Sequence, residues 1–264
     1  MGPVLMLGAG RMGGAMIEGW RLSGALAPVE LIVREPHPGP QVEAAVAAGA
    51  RLNPADEALG AARTVVLAVK PQAWRDAAAQ VAPHISPEAV IVSIAAGVAC
   101  ADVADAFGGR RVARVMPTTA VAIGQGVASI YSVDSEARAR AKALFEPLGA
   151  VVELAEEELM HAATAVSGSS PAYLYAFVEA LEAAGAAAGL PQTDSARLAR
   201  ATIAGAAALM ARSGEEPAEL RRQVTSPGGT TQAALEVLMG EGGLGPLLDK
   251  AVAAAAKRSR ELGG

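Results

Sequence analysis

The run Val4-Leu5-Met6-Leu7 passes directly into Gly8-Ala9-Gly10-Arg11-Met12-Gly13, and Arg11 to Leu22 has the composition of a helix. No other feature constrains the fold as much. In a strand–turn–helix of this kind Gly8 permits the tight turn and Gly10 lets the backbone approach a pyrophosphate. Gly13 lets the helix pack close to the strand, and the helix N-terminus attracts phosphate. A chain with 29 glycines meets G-x-G-x-x-G easily by chance, so it is the position between an apolar run and a helix that points to nucleotide binding.

The first half alternates β-type and helix-type segments. Strands are predicted at Val4 to Leu7, Glu30 to Val33, Thr64 to Val69, Val90 to Ile94 and Arg111 to Val115. Helices are predicted between them at Arg11 to Leu22, Gln41 to Ala48, Ala73 to Val81 and Ala101 to Phe107. Such alternation builds βαβ units on a parallel sheet. A strand at Val127 to Tyr131, a helix at Ser135 to Leu148 and a strand at Val151 to Leu154 close this part. Beyond Leu154 β-branched runs stop and the chain becomes alanine-rich and acidic, which places a boundary between residues 1–154 and 155–264. Helices are predicted there at Glu156 to Val166, Ala172 to Gly189, Asp194 to Ser213, Pro217 to Gln223, Thr230 to Met239 and Gly245 to Leu262. Gly189-Leu190-Pro191 is a helix stop, and Thr193 or Asp194 supplies the next cap.

Composition excludes several function classes. The 264 residues carry a net charge of -5 and no basic run, so nothing attracts a nucleic acid. Cys100 is the single cysteine and His37, His84 and His161 lack ligand spacing, so neither a disulfide nor a metal is expected and a reducing cytoplasm fits. Val115 to Val133 and Leu159 to Val178 lack charged residues, but prolines, glycines and serines interrupt both, so neither reads as a membrane span. The N-terminus has no basic region of a signal peptide. A soluble, cytoplasmic protein is expected.

Candidate cofactor residues lie where strands end. Leu7, Gly8, Ala9, Gly10, Arg11, Met12 and Gly13 form the turn. The second strand ends at Val33-Arg34-Glu35, where an acid favours NAD and a cation NADP. Arg34 comes first and can pair with a 2′-phosphate, while Glu35 can face the ribose; the order favours NADP(H). Ala68-Val69-Lys70-Pro71 and Ala95-Ala96-Gly97 end two further strands and offer backbone groups to the nicotinamide half. Lys70 either contacts phosphate or ribose, or reaches into solvent.

The second half is poor in proton-transfer groups. No lysine falls between Lys142 and Lys250, and His161 is the only histidine after His84, which argues against oxidation of a hydroxyl. Reduction of a protonated C=N needs only a hydrogen-bond partner at nitrogen. Two hydroxyl-rich clusters are available, Ser167-Gly168-Ser169-Ser170-Pro171-Ala172-Tyr173 and Thr225-Ser226-Pro227-Gly228-Gly229-Thr230-Thr231. Ordinary helix capping explains the first. In the second, paired glycines at a helix start expose consecutive N–H groups, a receptor for a carboxylate.

These residues resemble the pyrroline-5-carboxylate reductase family over essentially the whole length. The resemblance rests on GAGRMG (Gly8 to Gly13), AVKPQ (Ala68 to Gln72), SIAAGV (Ser93 to Val98), RVMPTT (Arg114 to Thr119), SGSSPAY (Ser167 to Tyr173) and VTSPGGTT (Val224 to Thr231). It implies an α/β fold, with an N-terminal Rossmann-like, doubly wound, mostly parallel sheet over 1–154 and an all-α C-terminal dimerisation and substrate domain over 155–264. It further implies a homodimer assembling to a decamer, with the active site at the dimer interface. NADPH, with NADH as the alternative, would reduce L-1-pyrroline-5-carboxylate to L-proline. By motif, Ser226, Gly228, Gly229, Thr230 and Thr231 would hold the substrate and Thr231 would bond the ring nitrogen as the catalytic residue. Glu157 matches a substrate-side position in some members. Relatives commonly read MPNTP and SGSGPAY, so Thr118 and Ser170 depart from the pattern in ways that bear on cofactor affinity and substrate choice. A reductase for the six-membered homologue and a non-catalytic NADP-binding module are the alternatives.

Overall fold

The computed structural model describes residues 2–262. Internal contacts divide the chain into two units, one running to Gly168 and taking back the chain from Ala255, the other Ser169–Ala254.

The first unit is built on eight strands: β1 Val4–Leu7, β2 Leu31–Arg34, β3 Arg51–Leu52, β4 Thr64–Leu67, β5 Val90–Ser93, β6 Val112–Pro117, β7 Gly126–Tyr131 and β8 Gly149–Glu153. Their order in the sheet is β3-β2-β1-β4-β5-β6-β7-β8. Every pair is parallel except β6 with β7. Because successive side chains on a strand face opposite ways, β1 sends Val4 and Met6 into one core layer and Leu5 and Leu7 into the other. The first layer is covered by α1 Arg11–Ser23, α2 Pro40–Ala47 and α5 Ser135–Phe145, through Met16, Trp20, Val42 and Leu144 among others. The second is covered by α3 Trp74–Val81 and α4 Cys100–Ala106, through Trp74, Ala78 and Val103, with Phe107 behind them. Both faces of the sheet are therefore buried, as a parallel sheet requires. A doubly wound, Rossmann-like sheet with helices on both sides is the result.

The strand runs were legible because all four residues of β1, β4 and β5 are buried. β3 was not expected. It is two residues long, and Arg51 on it is exposed, so it carries no apolar signal. The predicted helix over Glu156 to Val166 resolves into a short α6, Leu159–Ala163, followed by a π-helical turn over Thr164–Gly168. There the Thr164 hydroxyl donates to the Met160 carbonyl at 2.7 Å and Ser167 donates to Ala163 at 2.8 Å. Such back-bonding competes with regular helix hydrogen bonds.

The second unit is helical. It holds α7 Ser170–Ala187, α8 Gln192–Ser213, α9 Pro217–Gln223 and α10 Thr230–Leu238, and α11 Leu244–Glu261 starts in it. Gly189 follows the end of α7, as expected of a helix stop, with φ +106°. The next cap is neither Thr193 nor Asp194: α8 starts at Gln192, after Pro191, without any side-chain cap. Proline already sets the entry backbone angle and has no N–H to satisfy. α7 and α8 pack closely, with the Ser195 hydroxyl donating to the Glu182 carbonyl at 2.7 Å and Arg200 pairing with the Glu182 carboxylate at 2.7 Å. Yet no residue of α7, α9 or α10 is buried in the single chain. Tyr175, Leu209, Val237 and Leu247 are all more than half exposed.

Candidate active site

The parallel strands bring the expected cofactor residues to one sheet edge. The Gly8 amide donates to the Arg34 carbonyl at 2.9 Å, the Ala68 amide to the Leu7 carbonyl at 2.8 Å and the Ile94 amide to the Leu67 carbonyl at 3.0 Å. The carboxyl ends of β1, β2, β4 and β5 are thus tied together, which is where ligands bind in open α/β sheets.

Each glycine of the turn has its own reason. Gly8 has φ +85°, and a Cβ there would lie 2.9 Å from the Val69 amide and Cγ1. A Cβ on Gly13 would lie 2.6 Å from the Gly8 carbonyl oxygen, so only glycine lets α1 come this near the turn. A Cβ on Gly10 would meet no protein atom within 4 Å. Gly10 therefore fronts open space at the N-terminus of α1, and the cradle fits a dinucleotide pyrophosphate. Arg11 is exposed and Met12 half-buried beside it.

Next to the turn lies a cavity of about 610 Å³ bordered by Leu7, Gly8, Arg34, Glu35, Asn53, Asp56 and Val69. The Glu35 carboxylate accepts from the Ala9 amide at 2.7 Å and from the His37 amide at 2.9 Å. Asn53, at φ +45°, exchanges two hydrogen bonds with the Glu35 backbone, at 3.0 and 2.9 Å. The Arg34 guanidinium pairs with Asp56, while its Nε is buried without a partner among the described residues. His84 stands 3.7 Å from the other Asp56 oxygen. Both readings of Arg34-Glu35 thus have a physical basis, and the residues suit the adenosine end of NAD or NADP. Asn53 and Asp56 were missed in the sequence, where nothing in Asn53-Pro54-Ala55-Asp56 marks them apart from a loop.

Lys70 is exposed and Pro71 half-buried at the end of β4, and Ala95, Ala96 and Gly97 form the turn after β5, with Gly97 at φ +83°. None of these five borders that cavity. Thr118 is buried, and its hydroxyl accepts from the Val127 amide at 3.0 Å, so this departure from the family pattern is absorbed by strand pairing.

Glu157 reaches into the sheet. Its Oε1 accepts from the Cys100 amide, the first residue of α4, at 2.8 Å and from the buried Arg114 at 3.1 Å. Arg114 keeps Nε and Nη2 without a hydrogen-bond partner among the described residues. Burial, reinforced by Glu157, pushes the Cys100 thiol up to about 12, which leaves it unreactive. His161 is held below its ordinary value, first by burial and then by Arg114, and its Nδ1 lies 2.9 Å from the Ser259 hydroxyl. Cys100 and Arg114 were also missed as partners of Glu157, since they are 57 and 43 residues away.

The VTSPGGTT segment links α9 to α10. Gly228 has φ +70°, a conformation suited to glycine. The glycine amides are not the free ones, contrary to the expectation from sequence. The Gly228 amide donates to the Gln232 side chain at 2.8 Å, and the Gly229 amide to the Ser226 carbonyl at 3.0 Å. Turn closure uses both. Gly229 then stands ahead of α10 with no side chain to cap it, so the opening amides of the helix, on Thr230, Thr231 and Gln232, have no intrahelical acceptor. Thr231 is half-buried. In the first cluster, Ser169 precedes α7 without a side-chain cap, and Ser170 begins the helix. Ordinary capping is therefore not what those serines do.

Comparison with known proteins matches both halves. A family model described as pyrroline-5-carboxylate reductase dimerisation matches residues 157–262, and one described as NADP oxidoreductase, coenzyme F420-dependent, matches residues 3–97. The pyrroline-5-carboxylate reductase of Pseudomonas aeruginosa is 38% identical, covering 98% of this chain and 96% of its own. The solved structure of a pyrroline-5-carboxylate reductase from Coxiella burnetii superposes with a TM-score of 0.89 at 28% identity, covering 100% of this chain and 99% of that one. That of Plasmodium falciparum pyrroline carboxylate reductase, with NADP bound, gives 0.84 at 25% identity, covering 99% and 98%. Matched at this identity over nearly its whole length, the chain belongs to the pyrroline-5-carboxylate reductase family.

Proposed function

We propose that this protein reduces L-1-pyrroline-5-carboxylate to L-proline, the last step of proline biosynthesis. The whole-length likeness to enzymes of that name carries the reading, with the nucleotide cradle at the sheet edge in support. NADPH, when bound, supplies the hydride that the C=N carbon receives, and a proton completes the amine. The rest falls to positioning and electrostatics. Leu7 to Gly13, Arg34 and the strand ends at Ala68 to Pro71 and Ala95 to Gly97 hold the cofactor. The uncapped amides of Thr230, Thr231 and Gln232 receive the substrate carboxylate, in the turn that Ser226, Gly228 and Gly229 close. The Thr231 hydroxyl orients the ring nitrogen. Glu157 remains a substrate-side residue in this proposal, and its bonds to Arg114 and Cys100 fix where its carboxylate sits.

The proposed division of labour keeps the sequence boundary, 1–154 for cofactor and 155–264 for substrate and dimerisation, while by internal contacts residues 155–168 and 255–262 pack with the first unit. The chain is proposed to work as a homodimer assembling to a decamer in the cytoplasm. The dimerisation family match and the exposed apolar side chains of α7, α8, α10 and α11 support association. No helix among the described residues is long and apolar enough to cross a membrane. The test is purified protein with pyrroline-5-carboxylate or its six-membered homologue, each with NADPH and NADH, followed by absorbance. Oxidation of neither cofactor with either imine leaves only a binding module.

A further inference from the structure

The adenosine end of the cradle carries more acid than a 2′-phosphate site should. Among the described residues bordering the cavity Arg34 is the one cation at the strand end, and Asp56 already holds it. Glu35 sits beside it, fixed by the Ala9 and His37 amides and by Asn53 at its backbone. The charges of Arg34, Glu35 and Asp56 sum to -1, which disfavours a phosphate dianion. A ribose diol, by contrast, finds acceptors. The Arg34 Nε is buried without a partner among the described residues, so the bond to Asp56 is what occupies the guanidinium.

We propose that Asp56 determines cofactor specificity: by neutralising Arg34 it weakens the grip on the 2′-phosphate, and the enzyme uses NADH alongside NADPH. This rests on the reductase reading above and adds a residue that acts through Arg34. Asp56 is half exposed, so its substitution reaches the charge without disturbing the core.

Calorimetric titration of the purified full chain with NADP+ and with NAD+, in the absence of substrate, tests it. Wild type should bind the two within about tenfold of each other. Asp56→Asn should tighten NADP+ by about fivefold to tenfold and leave NAD+ within about twofold, since a released guanidinium gains a charge-assisted bond only to the phosphate. Arg34→Ala in the Asp56→Asn background should remove that gain. Melting temperatures within a few degrees of wild type would show that the fold is kept, and Asp56→Ser serves if the asparagine variant fails to fold. Weaker NADP+ binding in Asp56→Asn overturns the proposal, because Asp56 would then be holding Arg34 in its productive place. An equal change for both cofactors also overturns it. Failure of wild type to bind either nucleotide is a separate result, and it removes the reductase reading itself.

Discussion

The Glu157 carboxylate accepts a hydrogen bond at 2.8 Å from the amide of Cys100, 57 residues earlier in the chain. That amide belongs to the first turn of α4, where backbone donors lack helical partners. The same oxygen holds Arg114, whose side chain is 3% exposed. Glu157 is itself 28% exposed, so stranding the buried Arg114 should cost towards the low end of the range of about 3–5 kcal/mol for a buried pair. Glu157→Ala should therefore lose stability on that scale in urea unfolding. Glu157→Gln, whose amide oxygen still accepts from Cys100, should lose clearly less. Equal midpoints for wild type and Glu157→Ala would show that the pair contributes nothing.

Gly8 and Gly10 should separate folding from binding. An alanine at Gly8 meets Val69 and takes φ +85°, so Gly8→Ala should unfold at lower urea, by about 2 kcal/mol or more. At Gly10 the added methyl meets no protein atom within 4 Å. Gly10→Ala should keep wild-type stability and weaken NADPH binding at least tenfold, because the methyl enters the space of the pyrophosphate. Unchanged NADPH affinity in Gly10→Ala, read by fluorescence titration, would move the phosphates elsewhere.

Features carried by neighbours in sequence were legible; those made by folding were not. Leu7 to Gly13 states its strand–turn–helix geometry locally, since strand, turn and helix are all contiguous. Arg34 is equally visible, but its partner Asp56 lies 22 residues on and meets it only through the way β2 and β3 end. Glu157 reads as one acid in an acidic stretch until β6 and α4 surround it. In VTSPGGTT the turn ahead of a helix was legible and the use of its amides was not: the Gln232 side chain takes up the Gly228 amide, which no pattern of glycines reveals.

Association should depend on the apolar side chains that the helical unit leaves uncovered. Leu209 on α8 is 59% exposed and Val237 on α10 is 76% exposed. Patches of this kind mark interfaces. A charge placed in one must be desolvated when a partner covers it, at a cost of several kcal/mol. Leu209→Arg or Val237→Arg should thus shift sedimentation towards a monomer while circular dichroism stays helical. An unchanged sedimentation coefficient in both would place the interface on other residues.

His161 gives stability a sign with pH. Burial and Arg114 hold its folded value below the unfolded one, although Glu158 and Glu157 oppose the shift. The unfolded chain then binds the extra proton, so stability falls as pH drops below about 6.5, the unfolded value. Above that pH the neutral ring keeps its contact with Ser259. Urea midpoints should therefore be lower at pH 5.5 than at pH 7.5, and His161→Gln should reduce that difference. A His161→Gln variant with the wild-type pH dependence would assign the effect to other groups.

Thr231 is the residue whose loss should separate chemistry from folding. It lies in the first turn of α10, half-buried, with an uncapped helix start at its backbone. Thr231→Ala keeps the amide and removes only the hydroxyl. If that hydroxyl bonds the ring nitrogen as hydride arrives, its loss removes about 1.5–3 kcal/mol of transition-state stabilisation, the worth of a bond to a charged group. That is about tenfold to a hundredfold in turnover. Stability should change by less than about 1 kcal/mol, since a half-exposed hydroxyl contributes little to a core. Thr231→Ser, which restores the oxygen without the methyl, should recover most of the rate. Steady-state kinetics beside urea unfolding reads both quantities. Wild-type turnover in Thr231→Ala would leave the opening amides of α10 as a carboxylate receptor and take the side chain out of the reaction.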